Sequence, residues 1–236
     1  MQVFHSLQNI KNMKIPTIIK NVDEIIKLVL ILSGWMYKME KGLDLIKTVM
    51  NRVKTRYEKI LEDYYPSYES LGFTERNLTF NFCSQYEQLW NEKSSHEHNL
   101  VIWQEVPICN EGKLGKHIDS LIIDNDCVYL IEAKRLNGTD KIASIKSDIK
   151  RLKNVAIGKL EINKIPQNVK MFLIVLVDFW LPRLSANQKN KNKLRESFNE
   201  LCSKNAFSIV YDAEVCTSKG ISDAEHYYLL CSACEV

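Results

Sequence analysis

One apolar run constrains the fold of this chain more than any other feature. Residues 169–178 read Val-Lys-Met-Phe-Leu-Ile-Val-Leu-Val-Asp and are almost continuously apolar. A strand with one face in water alternates apolar and polar residues, whereas a strand covered on both faces is apolar throughout. The run therefore predicts a central β-strand that is buried on both faces.

Helical and strand-like patterns alternate around this run. From Thr74 onward, the spacing of apolar residues and the turn residues predict the order α-β-β-β-α-β-α-β-β. The predicted helices are Thr74–Lys93, Asp140–Ile157 and Asn187–Lys204, and the predicted strands are Leu100–Pro107, Lys116–Ile123, Cys127–Ala133, Val169–Asp178, Phe207–Val215 and His226–Ala233. This order indicates an α/β domain with a central sheet.

The first 72 residues differ from the rest because their apolar residues recur only at helical spacing. Two such runs, separated by Gly42, contain Val22 and Ile25 in the first and Ile46 and Val49 in the second. We expect a helical lobe over residues 1–72, without a catalytic pattern, and an α/β domain over residues 73–236.

The composition is that of a soluble globular protein, with 45% hydrophobic and 26% charged residues. The apolar segment Ile25–Tyr37 is too short to cross a bilayer, and no secretory signal is visible. Seven scattered cysteines indicate reduced thiols, and the pair Cys231 and Cys234 lacks the second pair that a zinc site needs. We expect a cytoplasmic protein without a membrane partner.

Two acids and one lysine interrupt the strands of a predicted hairpin. Asp119 lies within the first strand, and Glu132 and Lys134 lie at the end of the second, after the turn at residues 124–126. Side chains alternate along a strand, so Glu132 and Lys134 share a face, and the short turn brings Asp119 beside them. The sequence predicts two carboxylates and one ammonium group on one patch of sheet.

Neighbouring carboxylates repel each other, and burial disfavours their ionised forms, so this patch suits a divalent cation. Mg²⁺ is typically held by one or two carboxylates and several waters, and the carbonyl oxygen of Ala133 could be a further ligand. Mn²⁺ could substitute for it. The alternative is a solvated face with an ion pair of little energetic value, against which the apolar neighbours Ile118 and Ile131 argue.

An Asp, a short hairpin and Glu-Ala-Lys at the end of an apolar strand resemble the signature of the PD-(D/E)xK nucleases. The element order from Thr74 to Asp178 is similar to the αβββαβ core of this restriction-endonuclease-like superfamily, although Ile118 stands where the signature has proline. The resemblance implies a mixed central sheet, a DNA substrate, Asp119 and Glu132 as metal ligands, and Lys134 as the catalytic lysine.

The resemblance also implies a glutamate from the helix before the strands. At about 100° per residue, Glu75 lies near the centre of the apolar face of that helix, and Glu87 lies about 120° away. We prefer Glu75 to Glu87, with a plain N-terminal helix charge as the alternative role for Glu75. Gln104 and Glu105 of the first strand are further candidates, of which alternation allows only one to face the site.

Basic residues of the helix Asp140–Ile157 are candidates for nucleic-acid contact. The apolar residues of this helix form a stripe that is expected to face the sheet. Lys146, Lys150, Arg151 and Lys153 would then project outward beside the site, where they could meet phosphates. The alternative is a solvated lysine face.

These patterns favour a Mg²⁺ site, and the resemblance implies a Mg²⁺-dependent nuclease that cleaves DNA as an endonuclease of restriction or phage-defence type. One alternative is a non-catalytic nucleic-acid-binding or assembly module that keeps the nuclease fold. Another is an interaction protein whose helical lobe binds a partner. Cleavage of both DNA strands by one site per chain would favour a homodimer.

Overall fold

The computed structural model describes residues 42–64, 73–93, 99–110, 113–156, 169–182, 188–215 and 225–236. These ranges contain four helices, which are α1 (residues 42–63), α2 (Glu75–Lys93), α3 (Asp140–Ala156) and α4 (Gln188–Lys204). They also contain six strands, which are β1 (Val101–Asn110), β2 (Lys113–Ile123), β3 (Cys127–Arg135), β4 (Lys170–Pro182), β5 (Ser208–Val215) and β6 (Glu225–Glu235).

The six strands form one mixed sheet in the order β1-β2-β3-β4-β6-β5. Strands β3 and β4 are parallel, and the other neighbouring pairs are antiparallel. The connection between the parallel strands contains α3, as a parallel pair requires a crossover. The α/β class and the mixed sheet are therefore confirmed.

Strand β4 is the central strand that its apolar sequence predicts. Every residue from Phe172 to Phe179 is buried. Phe172, Ile174 and Leu176 pack against α1 and α2, whereas Leu173, Val175 and Val177 pack against α3 and α4. Helices thus cover both faces of the sheet, because a strand that is apolar on both faces needs a cover on each.

The strands differ from the predicted ones mainly at their ends. Strand β1 continues through Pro107 to Asn110, although Pro107 was predicted to end it. Because β1 is an edge strand, the missing N–H of proline need not cost a bond in the sheet. Strands β3 and β4 run on together to the pair Arg135 and Asp178, which extends the sheet beyond the acids.

Helix α1 packs in the same hydrophobic cluster as α2 and the sheet. Its buried residues are Ile46, Val49, Met50, Val53, Tyr57 and Leu61. Residues 43–236 form one compact unit. The helix predicted around Val22 and Ile25 lies outside the described residues, and the division at residue 72 stays a prediction.

In the described part of the chain, no helix combines the length and apolar character that crossing a membrane requires.

Candidate active site

Asp119 and Glu132 lie where strands β2 and β3 separate. The pairing of these strands that the structure describes ends with Ser120 opposite Ile131, so Asp119 and Glu132 occupy the next opposed positions. Asp119 Oδ2 accepts a hydrogen bond of 2.7 Å from the backbone N–H of Ala133. The backbone N–H of Ala133 therefore faces the gap between the strands and donates to the side chain of Asp119. The carbonyl of Ala133 lies on the same strand edge as its N–H and also faces this gap.

Glu132 is a buried carboxylate with one oxygen in use. The residue is 1% exposed, and its Oε1 accepts a hydrogen bond of 2.6 Å from Arg151 Nε. Its buried Oε2 has no hydrogen-bond partner among the described residues. Burial raises the pKa of Glu132 to about 8, although the bond from Arg151 lowers it. A cation or a proton would satisfy the second oxygen.

Lys134 lies between two further carboxylates. Its Nζ is 3.2 Å from Glu75 Oε2 and 3.6 Å from Asp148 Oδ2. Burial lowers the pKa of Lys134, but the charges of Asp148 and Glu75 outweigh burial, and the net pKa shift is upward. Lys134 therefore stays an ammonium ion at neutral pH.

Glu75 reaches the site from the first turn of α2. Its Oε1 accepts a hydrogen bond of 3.1 Å from the backbone N–H of Arg135, while Oε2 contacts Lys134. Helix α2 packs on the sheet face opposite α3, but its N-terminus lies at the end of β3. Glu87 is exposed and is about 18 Å further along α2, at 1.5 Å per residue. The structure thus brings Glu75, and not Glu87, to the acids.

Arg151 does not project outward, contrary to the orientation predicted for it, whereas nucleic-acid contact by this helix stays a prediction. Its Nη2 donates a hydrogen bond of 2.7 Å to Asp148 Oδ1, while its Nε bonds Glu132. A carboxylate as buried as Glu132 needs a counter-ion or a proton, and α3 provides the guanidinium group.

Asp148 is a member of the site that the sequence analysis missed. It is 6% exposed and contacts both Arg151 and Lys134. A signal for it was present, because Asp148 follows Ile145 by three residues and therefore shares the buried apolar stripe of α3. A carboxylate on such a stripe is a candidate site residue.

The other basic residues of α3 divide into two groups. Lys146 and Lys150 are exposed, as predicted, and lie about one helical turn apart. Lys153 is half-buried instead, because its Nζ donates a hydrogen bond of 2.8 Å to the carbonyl of Asn205 and lies 6.0 Å from the ring centre of Phe207. The prediction that Lys153 projects outward is therefore wrong.

A cleft of about 460 Å³ opens beside Asp119 and is lined by Glu75, Arg76, Thr79, Gln104, Glu105 and Asp119. Gln104 and Glu105 both line this cleft, and the prediction that only one of them faces the acids stays a prediction. The φ angle of Glu105 is 54°, and this left-handed conformation interrupts the alternation of side chains along β1. Glu105 Oε1 also lies 3.3 Å from Arg76 Nε, which belongs to α2.

The charges of the cluster do not balance by themselves. Among the described residues, Glu75, Glu132 and Asp148 form ion pairs with Lys134 and Arg151, and Asp119 adds a fourth carboxylate, so full ionisation of these six groups leaves two negative charges in excess. Burial raises the pKa of Asp119, and the negative charges of Asp148 and Glu75 raise it further. The hydrogen bond from the backbone N–H of Ala133 and the positive charge of Lys134 oppose this rise. A divalent cation would offset the excess.

The donor set fits Mg²⁺, which prefers hard oxygen ligands and keeps several waters. Asp119, Oε2 of Glu132 and the carbonyl of Ala133 are the candidate ligands. Three or more His, Cys, Asp or Glu side chains in a metal-binding arrangement are not found among the described residues. The ligands would thus be two carboxylates, one carbonyl and water.

A further buried acid, Asp178, lies near the end of β4. Asp178 is 0% exposed at the position where β4 pairs with Arg135 of β3, and Tyr227 donates a hydrogen bond to its Oδ2. Burial raises the pKa of Asp178 to about 7, although the bond from Tyr227 and the charge of Arg135 lower it. This residue supports the strand end and is not part of the acidic gap.

The fold and the cluster define an α/β protein with a partly buried ionic site at the separating ends of two central strands. Comparisons of the chain with protein-family models, with curated proteins and with solved structures found no match.

Proposed function

We propose that this protein is a Mg²⁺-dependent nuclease with a core of the PD-(D/E)xK type and that it hydrolyses phosphodiester bonds in DNA. The observation that carries the proposal is the buried, unsatisfied oxygen of Glu132 across the strand gap from Asp119. An unsatisfied carboxylate oxygen is costly in a core and is worth explaining by a ligand. Mg²⁺ explains it, and the excess negative charge as well.

The proposed roles of the residues follow from their contacts. Asp119 and Glu132 hold the cation, and the N–H of Ala133 fixes the orientation of Asp119. Bound Mg²⁺ supplies a water of lowered pKa and stabilises charge on the phosphate. Lys134, held as an ammonium ion by Glu75 and Asp148, is placed to donate hydrogen bonds to a phosphate oxygen or to the attacking water.

Substrate access and binding are provided by neighbouring surfaces. The cleft beside Asp119 opens the site to solvent. Lys146 and Lys150 present two exposed positive charges on α3, the helix that also carries Asp148. Contacts of this kind attract the phosphate backbone without regard to sequence, so they favour DNA binding but predict no recognition sequence.

The test is a cleavage assay on supercoiled and linear DNA with Mg²⁺, with Mn²⁺ and with a chelator. The wild type is expected to cut with either metal, and Asp119→Asn is expected to cut at background level. Glu75→Gln should reduce the rate, while Glu87→Gln, on the exposed side of the same helix, serves as its matched control and should not. Absence of cleavage by the wild type with both metals on both substrates would refute the nuclease proposal.

A non-catalytic DNA-binding module is the second candidate, and one observation favours it. The ion pairs of Arg151 with Glu132 and of Lys134 with Glu75 already compensate much of the negative charge without a metal. Such a module would shift DNA in a gel with the chelator present and would bind no Mn²⁺. A nuclease would bind Mn²⁺ even without DNA.

A further inference from the structure

The guanidinium group of Arg151 bridges two acids that belong to different elements. Its Nε is 2.6 Å from Oε1 of Glu132 on β3, and its Nη2 is 2.7 Å from Oδ1 of Asp148 on α3. The nitrogens of a guanidinium group are fixed in one plane, so two bonds determine its orientation. Asp148 therefore orients Arg151, and Arg151 orients the carboxylate of Glu132.

The carboxylate of Glu132 is used asymmetrically. Arg151 occupies Oε1, whereas Oε2 is buried and finds no hydrogen-bond partner in the described ranges of the chain. A carboxylate that is held by one oxygen has a restricted rotation about its last bond and presents the other oxygen in one direction. Asp119 occupies the opposed position on β2, across the same gap.

From this arrangement, we infer that Arg151 is a positioning residue for the proposed metal site, which holds Glu132 by Oε1 and presents Oε2 to the cation. The inference rests on the proposed function and adds a role to it. Arg151 acts through Glu132 and touches neither the cation nor the DNA. Asp148 supports this role because it accepts a hydrogen bond from Nη2 of Arg151 and so fixes the orientation of the guanidinium group.

The surroundings of Arg151 favour positioning over phosphate binding. Its side chain is 21% exposed, and two of its nitrogens are bound to buried acids. Lys150, the preceding residue, is exposed on the same helix. A phosphate could attract Arg151 only by leaving Glu132 and Asp148 buried without their counter-ion, which is costly. Lys150 can bind a phosphate without that cost.

The test is a calorimetric titration of the full chain with Mn²⁺ alone, in the absence of DNA. Loss of groups that orient metal ligands typically weakens metal binding about 10- to 100-fold, and we expect this loss for Arg151→Ala. Arg151→Lys keeps the charge but not the planar pair of donors, and we expect an intermediate loss. Arg195→Ala is the matched control, because Arg195 makes a similar pair with Asp212, where Nε is 2.6 Å from Oδ2.

A kinetic readout separates positioning from a merely structural role and from DNA binding. In cleavage assays, Arg151→Ala should raise the Mg²⁺ concentration for half-maximal rate about tenfold, in line with the loss of metal affinity. The KM for DNA should stay within about twofold, because Arg151 does not touch the DNA. Lys150→Ala should show the opposite pattern, with a raised KM for DNA and an unchanged Mg²⁺ requirement.

The outcomes distinguish this inference from the proposed function. A wild type that binds Mn²⁺, together with an Arg151→Ala variant that binds it equally or more tightly, overturns the positioning role alone. A wild type that binds no Mn²⁺ overturns both. If circular dichroism shows that Arg151→Ala does not fold, Arg151→Lys decides, and unchanged Mn²⁺ affinity in that variant overturns the inference.

Discussion

At the residue scale, the feature that sets this protein apart is charge held inside the fold. Glu132, Asp148 and Asp178 are all buried, and each contacts a cationic side chain from another position in the sequence. Buried charges contribute little to stability compared with apolar residues of the same size. The burial of Glu132 and Asp148 is therefore better explained by the proposed metal site than by stability, whereas Asp178 supports the end of its strand.

Lys134 is expected to be required for cleavage. Lys134→Ala removes the only lysine ammonium that the structure places between Glu75 and Asp148, in the described part of the site. Removing one hydrogen-bond donor that stabilises the negative charge of the transition state typically lowers kcat about 10²- to 10³-fold. Steady-state cleavage rates would measure this loss, and a rate near that of the wild type would exclude Lys134 from the chemistry.

Substitution of the exposed Lys150 and of Lys153, which is hydrogen-bonded to Asn205, is expected to affect DNA binding differently. Lys150→Ala should weaken DNA binding. It should also make the slope of log K, the association constant for DNA, against log salt concentration less steep by about one, since one expected phosphate contact is lost. Lys153→Ala should leave DNA binding nearly unchanged, because Lys153 bonds Asn205. Fluorescence anisotropy at several salt concentrations would measure both, and equal effects of the two variants would contradict this assignment.

Asp178 is expected to make stability depend on pH. Burial raises the pKa of Asp178 to about 7 in the folded protein, above its ordinary value. The folded chain therefore keeps a proton that the unfolded chain has already lost, and stability falls as pH rises toward 7. Asp178→Asn removes this titration, so the advantage of the wild type over the variant should be larger at pH 5 than at pH 8.

Urea denaturation at the two pH values measures this change in the free energy of unfolding. Glu87→Gln replaces an exposed carboxylate and is expected to follow the pH dependence of the wild type. A wild-type advantage over Asp178→Asn that grows with pH would contradict the assignment of a raised pKa.

At the element scale, the predicted helices and strands depend on periodicity, and their ends depend on neighbours. The spacing of apolar residues was sufficient to predict α2, α3 and β4. The extension of β1 past Pro107 depends on its position at the sheet edge, which only the strand order reveals. The sequence of a segment indicates which secondary structure it prefers, whereas its pairing with neighbouring strands determines where the strand ends.

The central strand is expected to carry much of the stability. Leu173→Ala on β4 removes a fully buried side chain, and such changes cost about 2–5 kcal/mol. Ile209→Ala on the edge strand β5 is the control, since this partly exposed side chain should cost less than about 1 kcal/mol. Chemical denaturation measures both, and similar losses would contradict the central role of β4.

At the scale of the whole molecule, α1 and the sheet share one hydrophobic cluster. Removal of residues 1–72 would expose the face of α2 and the sheet that α1 covers. The six buried apolar side chains of α1 contribute roughly 1.5–3 kcal/mol each to the free energy of unfolding. Their sum is comparable to the whole stability of a domain.

We therefore expect residues 73–236 alone to lack a cooperative unfolding transition. Circular dichroism during urea denaturation would show this, and a cooperative transition would establish the predicted domain boundary at residue 72 instead.

The sequence alone determined the local arrangement of the site. Alternation along β3 places Glu132 and Lys134 on one face, and the tight turn at residues 124–126 brings Asp119 beside them. These relations involve neighbours in the chain, so spacing was enough to predict them. The central strand and the α/β class follow in the same way, because burial on both faces leaves a continuous apolar pattern.

The packing of the helices on the sheet determines how residues distant in the sequence complete the site. Glu75 contacts Lys134 because the N-terminus of α2 meets the end of β3, and Arg151 turns inward because the buried Glu132 requires a counter-ion. Gln104 and Glu105 both line the cleft, and Glu105 has a left-handed backbone conformation there. Helical periodicity favoured Glu75 over Glu87, but it could not predict the partners of Glu75 or the inward turn of Arg151, since these depend on charge compensation between elements far apart in the chain.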